Sequence, residues 1–106
     1  MISVSFSTAD EAVRVKAIGH ANTAPFGQDI VCAAVSALVC TFAAVLHEAE
    51  EMGKLLSLDI RLEHGEAEIF CKPKSAHRKE VMAWLRYLEA GMDALAERYP
   101  EAVLMN

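Results

Sequence analysis

The fold depends most on residues 30–46, which read IVCAAVSALVCTFAAVL. Only Ser36 and Thr41 interrupt this apolar run, and its length is at the lower limit for a membrane span. Because several positions hold Ala or Cys and no second hydrophobic segment follows, we interpret the run as a core helix rather than a span. A helix that is apolar on nearly every face has more apolar surface than one thin sheet covers, which predicts a dimer seam.

The segments on either side of this helix alternate between apolar and polar residues, which is typical of half-buried β-strands. Two strands are predicted before the helix and two after it, at residues 2–6, 13–17, 58–62 and 67–71. His64-Gly65 joins the last two strands in a two-residue turn, with Gly at a position that favours positive φ. The pattern therefore predicts two hairpins, one on each side of the core helix.

A second helix is predicted after the second hairpin. Ser75 is its expected N-cap, Pro100 ends it, and its apolar positions recur at steps of three and four. A short last strand is predicted at residues 103–105. The order ββαββα(β) predicts an α+β fold with a single mixed or antiparallel sheet and two helices, in one domain that spans residues 1–106.

Charge and cysteine content restrict the class of partner and the compartment. The 106 residues include 10 Lys and Arg and 15 Asp and Glu, for a net charge of −5. Residues 48–68 carry the whole acidic excess, whereas residues 72–79 are basic; we interpret both as solvated surface patches. A net acidic chain is a poor general binder of nucleic acid but suits a basic partner. Three Cys and no recognisable export signal predict free thiols and a cytoplasmic location.

The residues with the most chemical potential are Gly19-His20 and, after a short loop, residues 27–32. Asp29 as N-cap would place Cys32 in the first helical turn, where the positive end of the helix dipole favours a thiolate. The thiolate is a nucleophile, and an imidazole from His20 at a strand end could protonate a leaving amine. Amides of the same helical turn could hold an oxyanion. These are the parts of a cysteine hydrolase.

Each of these residues also has a plainer interpretation. Cys32 could be a small apolar residue of the helix, and Asp29 could be a cap with no further role. Ser36 lies one turn after Cys32 on the same helical face, either as a supporting residue or bonded to the preceding turn. Gly19 and Gly27 are interpreted as loop or hinge residues.

The remaining thiols and imidazoles are interpreted as inert. Cys40 lies deep in the apolar helix and Cys71 on the inward face of a strand. His and Cys residues show no paired metal-ligand spacing, so neither a metal nor another cofactor is expected. Three further His residues are interpreted as surface residues: His47, His64 and His77.

Gly19-His20-Ala21 followed by GQDIVCAAVSAL at residues 27–38 resembles the ribosomal-processing cysteine protease Prp family. The resemblance implies that His20 is the catalytic base and acid and Cys32 the nucleophile, with Asp29 and Ser36 in supporting roles. It also implies a homodimer without a cofactor, a mobile loop over the substrate, and removal of an N-terminal extension from a basic ribosomal protein of the large subunit. No membrane or direct nucleic-acid partner is expected.

A different class of function fits the same fold. A non-catalytic, dimeric binding or assembly module would use the acidic patch and the dimer seam but not the thiol. The two hypotheses differ in Cys32, which reacts faster with iodoacetamide than Cys40 or Cys71 only if it is activated.

Overall fold

A computed structural model describes residues 1–21 and 29–106 as five strands and two helices. The strands are β1 (Ile2–Ser7), β2 (Val13–Gly19), β3 (Leu55–Glu63), β4 (Glu66–Pro73) and β5 (Val103–Met105). The helices are α1 (Ile30–Glu51) and α2 (Arg78–Arg98), and 3₁₀ turns occupy Ala9–Glu11 and Ser75–His77. The predicted α+β class and element order are confirmed. The predicted loop, including the hinge candidate Gly27, lies outside the described residues.

The strands form one mixed sheet in the order β3-β4-β2-β1-β5. Only β1 and β5 pair in parallel, and the other neighbours are antiparallel. β2 is the central strand: Gly19 at its end pairs with Ile2 of β1, and Ile18 pairs with Glu66 at the start of β4. This register brings the end of β2 beside the His64-Gly65 turn, which joins β3 to β4 as predicted.

Both helices pack on one face of the sheet, and the core lies between the two layers. On the central strand Val13 and Val15 are buried, whereas the alternate residues Arg14 and Lys16 are exposed. The largest fully buried side chains come from both layers and include Val4, Ile69, Val31, Leu46, Leu85 and Met92. The predicted alternation along the strands therefore corresponds to one packed and one open face.

Helix α1 has 22 residues and ends in a Schellman motif. Gly53 adopts a φ of +75°, its amide donates to Glu50 O at 3.0 Å, and the Lys54 amide donates to Ala49 O at 2.9 Å. By length and composition α1 could cross a membrane. Its row of buried residues from Val31 to Leu46 instead packs in the core between the two layers, as the core helix of a two-layer fold does.

The start of α2 differs from the prediction. Ser75 lies in a 3₁₀ turn and makes no side-chain cap, and α2 begins only after His77. Glu80 in its first turn lies 2.7 Å from Nδ1 of His77 and 3.3 Å from Nζ of Lys54. These contacts, the His77 hydrogen bond first and Lys54 second, lower the pKa of the Glu80 carboxyl below its ordinary value. The Glu80 carboxylate also lies near the positive end of α2, where the helix dipole favours a negative charge.

Candidate active site

Cys32 is the third residue of α1, and its position is set by the predicted cap. Oδ1 of Asp29 accepts hydrogen bonds from the amides of Val31 at 2.9 Å and Cys32 at 3.0 Å, as an N-cap side chain does. The Asp29 carbonyl accepts from the Ala33 amide at 3.1 Å. Asp29 is therefore the N-cap that the sequence predicts, and it holds the Cys32 backbone in the first turn.

The same hydrogen bonds change the expected source of an oxyanion donor. The sequence suggests amides of the first helical turn, but those of Val31 and Cys32 already donate to Asp29. A different amide points at the sulfur: the N–H of Ala21 donates to Sγ of Cys32 at 3.3 Å. An N–H donor to sulfur binds a thiolate more strongly than a neutral thiol, since charged acceptors form the stronger bonds.

A contact between Ala21 and Cys32 brings His20 and Cys32 to the same part of the structure. Ala21 directly follows His20 and is buried, and its amide contacts the Cys32 sulfur across the gap between β2 and α1. His20 itself is half-buried at the end of β2, and its carbonyl accepts a hydrogen bond from the Met1 amino group. The structure thus brings the predicted imidazole and thiol to one place from two different elements.

A cavity of about 710 Å³ opens between the start of α1 and the β3–β4 hairpin. Five of the predicted site residues line it: Gly19, His20, Asp29, Cys32 and Ser36. Its apolar lining includes Ile2, Ala17, Val35, Val39 and Leu62, and its acidic lining includes Glu63 and Glu66. This volume is in the range of ligand-binding clefts, so the thiol and the imidazole face a space that can take a substrate segment.

Two more of the predicted site residues, Gly19 and Ser36, have positions that the structure defines. Gly19 lies inside the sheet, as the last residue of β2, and not in a loop. Its φ is +108°, and a Cβ at this position would lie 2.2 Å from the Met1 carbonyl oxygen, so close backbone approach explains the glycine. Ser36 is exposed on the helix wall of the cavity, one turn beyond Cys32.

Sequence reasoning missed one imidazole at this site. His64 was expected to be a surface residue, and it is exposed, but its ring lies 4.7 Å from that of His20, measured between centroids, at an interplanar angle of 42°. His64 also lines the cavity. The pairing of β2 with β4 brings these two residues together, so their contact could be predicted only from the order of the strands in the sheet. His47 and His77, by contrast, contact the carboxylates of Glu51 and Glu80, at 3.2 Å and 2.7 Å, away from the cavity.

The described residues offer no evident metal centre. Within 1–21 and 29–106, no group of three or more His, Cys, Asp or Glu side chains is arranged to hold a metal ion.

The three thiols differ in accessibility and should differ in alkylation. Burial raises the pKa of the Cys71 thiol to about 11, so on the order of 10⁻⁴ of it is ionised at pH 7. Cys40 is exposed on α1, although the sequence suggests an inert thiol deep in the helix, and Cys32 is half-buried in the cavity. With limiting iodoacetamide at pH 7, we expect mass spectrometry to find Cys32 labelled first, Cys40 more slowly and Cys71 unlabelled. Equal labelling of Cys32 and Cys40 would contradict an activated Cys32.

Comparisons with known proteins agree with this geometry. The sequence profile of the family described as cysteine protease Prp matches residues 1–104. A comparison with curated proteins gives no match. Three solved structures share the fold, and each match covers 100% of this chain. Two are of the essential ribosomal processing protease Prp from S. aureus: the complex with a covalently linked product peptide has 24% identity, a TM-score of 0.76 and 98% of its own chain covered, and the complex with a substrate peptide has 23% identity, a TM-score of 0.70 and 98% covered. The third is SMU.848 from Streptococcus mutans, with 26% identity, a TM-score of 0.70 and 92% of its chain covered.

A thiol at the start of a helix, an imidazole at the end of the neighbouring strand and a shared cavity define the class of cysteine hydrolases. The family profile extends over nearly the whole chain, well beyond the motif at residues 19–38. The chain therefore belongs to the cysteine protease Prp family, and it is a cysteine protease. This membership favours the hydrolase hypothesis over the non-catalytic binding module.

Proposed function

We propose that this protein is an endopeptidase that removes the N-terminal extension of a large-subunit ribosomal protein during ribosome assembly. The observation that carries the proposal is the shared cavity of His20 and Cys32, with the Ala21 amide on the Cys32 sulfur. The S. aureus protein of the same fold is described as a ribosomal processing protease, which supports this choice of substrate.

The proposed mechanism uses Cys32 as nucleophile and His20 as acid and base. The Cys32 thiolate attacks the scissile carbonyl carbon, and the C–N bond then breaks as the His20 imidazolium gives its proton to the leaving amine. Water adds to the resulting thioester while His20 takes a proton, and the S–C bond breaks to release the carboxylate. We assign the oxyanion donor to the Ala21 amide: those of Val31 and Cys32 stay bonded to the Asp29 cap, whereas the Ala21 amide donates to the sulfur and becomes free for the oxyanion when the thiolate loses its charge on attack.

The supporting residues act on Cys32 without reacting themselves. Asp29 caps α1 and so fixes the helical turn that carries the thiol. Ser36 lies on the cavity wall, where its hydroxyl can contact a bound peptide. Gly27, the proposed loop hinge, lies outside the described residues.

The lining of the cavity supports a basic, partly apolar substrate. Glu63 and Glu66 belong to the acidic stretch of the sequence, and both line the cavity beside His20. Carboxylates at a binding cleft attract cationic peptides and speed their association at low ionic strength. The apolar wall formed by Val35, Val39 and Leu62 suits an apolar side chain next to the scissile bond.

A peptide assay tests this proposal. The resemblance to the Prp family implies cleavage after an aromatic residue and before a small one. The substrate is therefore a synthetic N-terminal segment of the ribosomal protein that spans such a pair, and the control peptide carries Asp in place of the aromatic residue. We expect a single cleavage after the aromatic residue, seen by mass spectrometry, and no cleavage of the control. We also expect kcat/KM to fall as NaCl rises. Failure of the wild-type protein to cut the extended peptide would contradict the proposed function.

We further propose that the protein is a homodimer located in the cytoplasm. The outer side of α1 is apolar and exposed. Ile30 is 68% exposed, and the residues that follow it on this side are small: Ala33, Ala37 and Ala44. Small apolar side chains let two helices approach closely, which supports a seam along α1. Light scattering after gel filtration at micromolar concentration should give twice the 11.6 kDa chain mass, and a monomer would refute the seam. The free thiols Cys32 and Cys40 fit a reducing compartment.

A further inference from the structure

The His64-Gly65 turn lies directly against His20, although it belongs to a different hairpin. His64 and His20 have ring centroids 4.7 Å apart and ring planes tilted by 42°. This is within the separation and tilt at which aromatic rings attract each other. A second imidazole, from the β3–β4 turn, therefore packs against the His20 ring.

The backbone of the same turn restricts His20 from another side. A Cβ on Gly65 would lie 2.7 Å from Nε2 of His20, so only glycine leaves room for the ring where it is. The Gly19 amide donates to the Gly65 carbonyl at 2.8 Å, which ties the turn to the strand end that carries His20. The ring contact is thus held by a backbone hydrogen bond and by a glycine, and not by the His64 side chain alone.

Contact with two neighbours limits the orientations that the His20 side chain can adopt. A catalytic imidazole that samples several rotamers spends only part of its time within reach of its proton partner, and the rate falls in proportion. Side chains that pack against a catalytic residue and lock its rotamer avoid that loss. The charged groups that face this ring pair are the carboxylates of Glu63 and Glu66 beside the turn and of Asp29 across the cavity.

We propose that His64 is a positioning residue for the catalytic imidazole: its ring packs on His20 and limits the orientations of that ring in the cavity it shares with Cys32. The proposal rests on the proposed catalytic roles of His20 and Cys32. It does not require His64 to exchange a proton or to touch the substrate. A flat ring at position 64 should therefore suffice, whether or not it titrates.

The test compares His64→Ala with His64→Phe in the full chain. We expect His64→Ala to lower kcat roughly tenfold and leave KM unchanged within about twofold, because only the reacting geometry is lost. His64→Phe should recover kcat to within about threefold of wild type, since a phenyl ring supplies the same face. His47→Ala is the matched control: His47 is exposed on α1 and pairs with Glu51, so kcat should not change.

NMR of the His20 side chain gives a second readout that does not need cleavage. The Hα–Hβ coupling signals of His20, assigned by their loss in His20→Ala, report its χ1 rotamer: they should show one rotamer in the wild type, an average over several rotamers in His64→Ala, and one rotamer again in His64→Phe. Unchanged kcat and unchanged His20 signals in His64→Ala would overturn the positioning role, as would a His64→Phe variant no better than His64→Ala. An effect confined to KM would also overturn it, in favour of a substrate contact. If the wild-type protein cuts no peptide, the proposed function fails, and the NMR comparison still decides whether His64 orients His20.

Discussion

Replacing Cys32 by Ala is expected to abolish peptide cleavage while leaving the protein folded. The thiol is the group that forms the covalent intermediate, and removing such a nucleophile lowers kcat by about 10⁴-fold or more. Cys32 is half-buried at the edge of the core, so loss of one sulfur should change the free energy of unfolding by no more than about 1 kcal/mol. The measurement is cleavage of the extended ribosomal peptide, with thermal unfolding followed by circular dichroism on the same sample.

Cys40→Ala is the matched control for this experiment. Cys40 lines the same cavity from the same helix, two turns beyond Cys32, and its thiol is exposed. The same atoms are removed from the same wall, so any general effect of losing a thiol from the cavity should appear in both variants. We expect Cys40→Ala to cut at the wild-type rate. Residual cleavage by Cys32→Ala, or loss of cleavage in Cys40→Ala, would show that the nucleophile is misassigned.

Local patterns were sufficient to predict most of the fold. Strict alternation along residues 13–17 and 67–71 predicts strands whose inward residues are indeed buried, such as Val15 and Cys71. Asp29 is predicted as an N-cap because a carboxylate before an apolar run satisfies free amides, and it does accept two of them. These features depend on neighbours within a few residues, which is the range over which a sequence pattern is informative.

Features that depend on which distant strands pair were not predictable in this way. The sheet places β2 between β1 and β4, and only this order sets the His64-Gly65 turn beside His20. His64 therefore looked like an ordinary turn residue. The amide of Ala21 on the Cys32 sulfur has the same origin, because it requires the packing of α1 against the end of β2.

The exposure of Cys40 has a related cause. A helix that is apolar all round gives no periodicity from which to choose its buried face. In a two-layer fold the sheet and α2 cover only one side of α1, so that Val39 is buried and Cys40, one residue further on, is exposed on the cavity wall. Ser75 does not cap α2 for a local reason: it begins a 3₁₀ turn, Ser75–His77, and α2 starts only after that turn.

Gly19→Ala is expected to damage both the fold and the site, because two costs combine at this residue. Its φ of +108° is strained for any residue with a side chain, and the added Cβ would lie 2.2 Å from the Met1 carbonyl oxygen, which is backbone. Ile2, the strand partner of Gly19, is tied to Ala102 by a 2.7 Å hydrogen bond, so β1 cannot move away freely. We expect a loss of at least about 3 kcal/mol in the free energy of unfolding, which corresponds to a decrease in Tm of roughly 10–20 °C.

Gly53→Ala is the control for Gly19→Ala, because it has the unfavourable positive φ without the steric clash. Gly53 has a φ of +75°, but a Cβ there would meet only the flexible end of Lys74 at 4.0 Å, so this variant should lose about 1 kcal/mol and a few degrees in Tm. Only Gly19→Ala should also lose cleavage in its folded fraction, because the strand end that carries His20 must shift. Both variants are compared by thermal unfolding and, below their melting temperatures, by peptide cleavage. If Gly19→Ala melts within about 2 °C of Gly53→Ala and cuts normally, the close approach of Met1 does not set the position of His20.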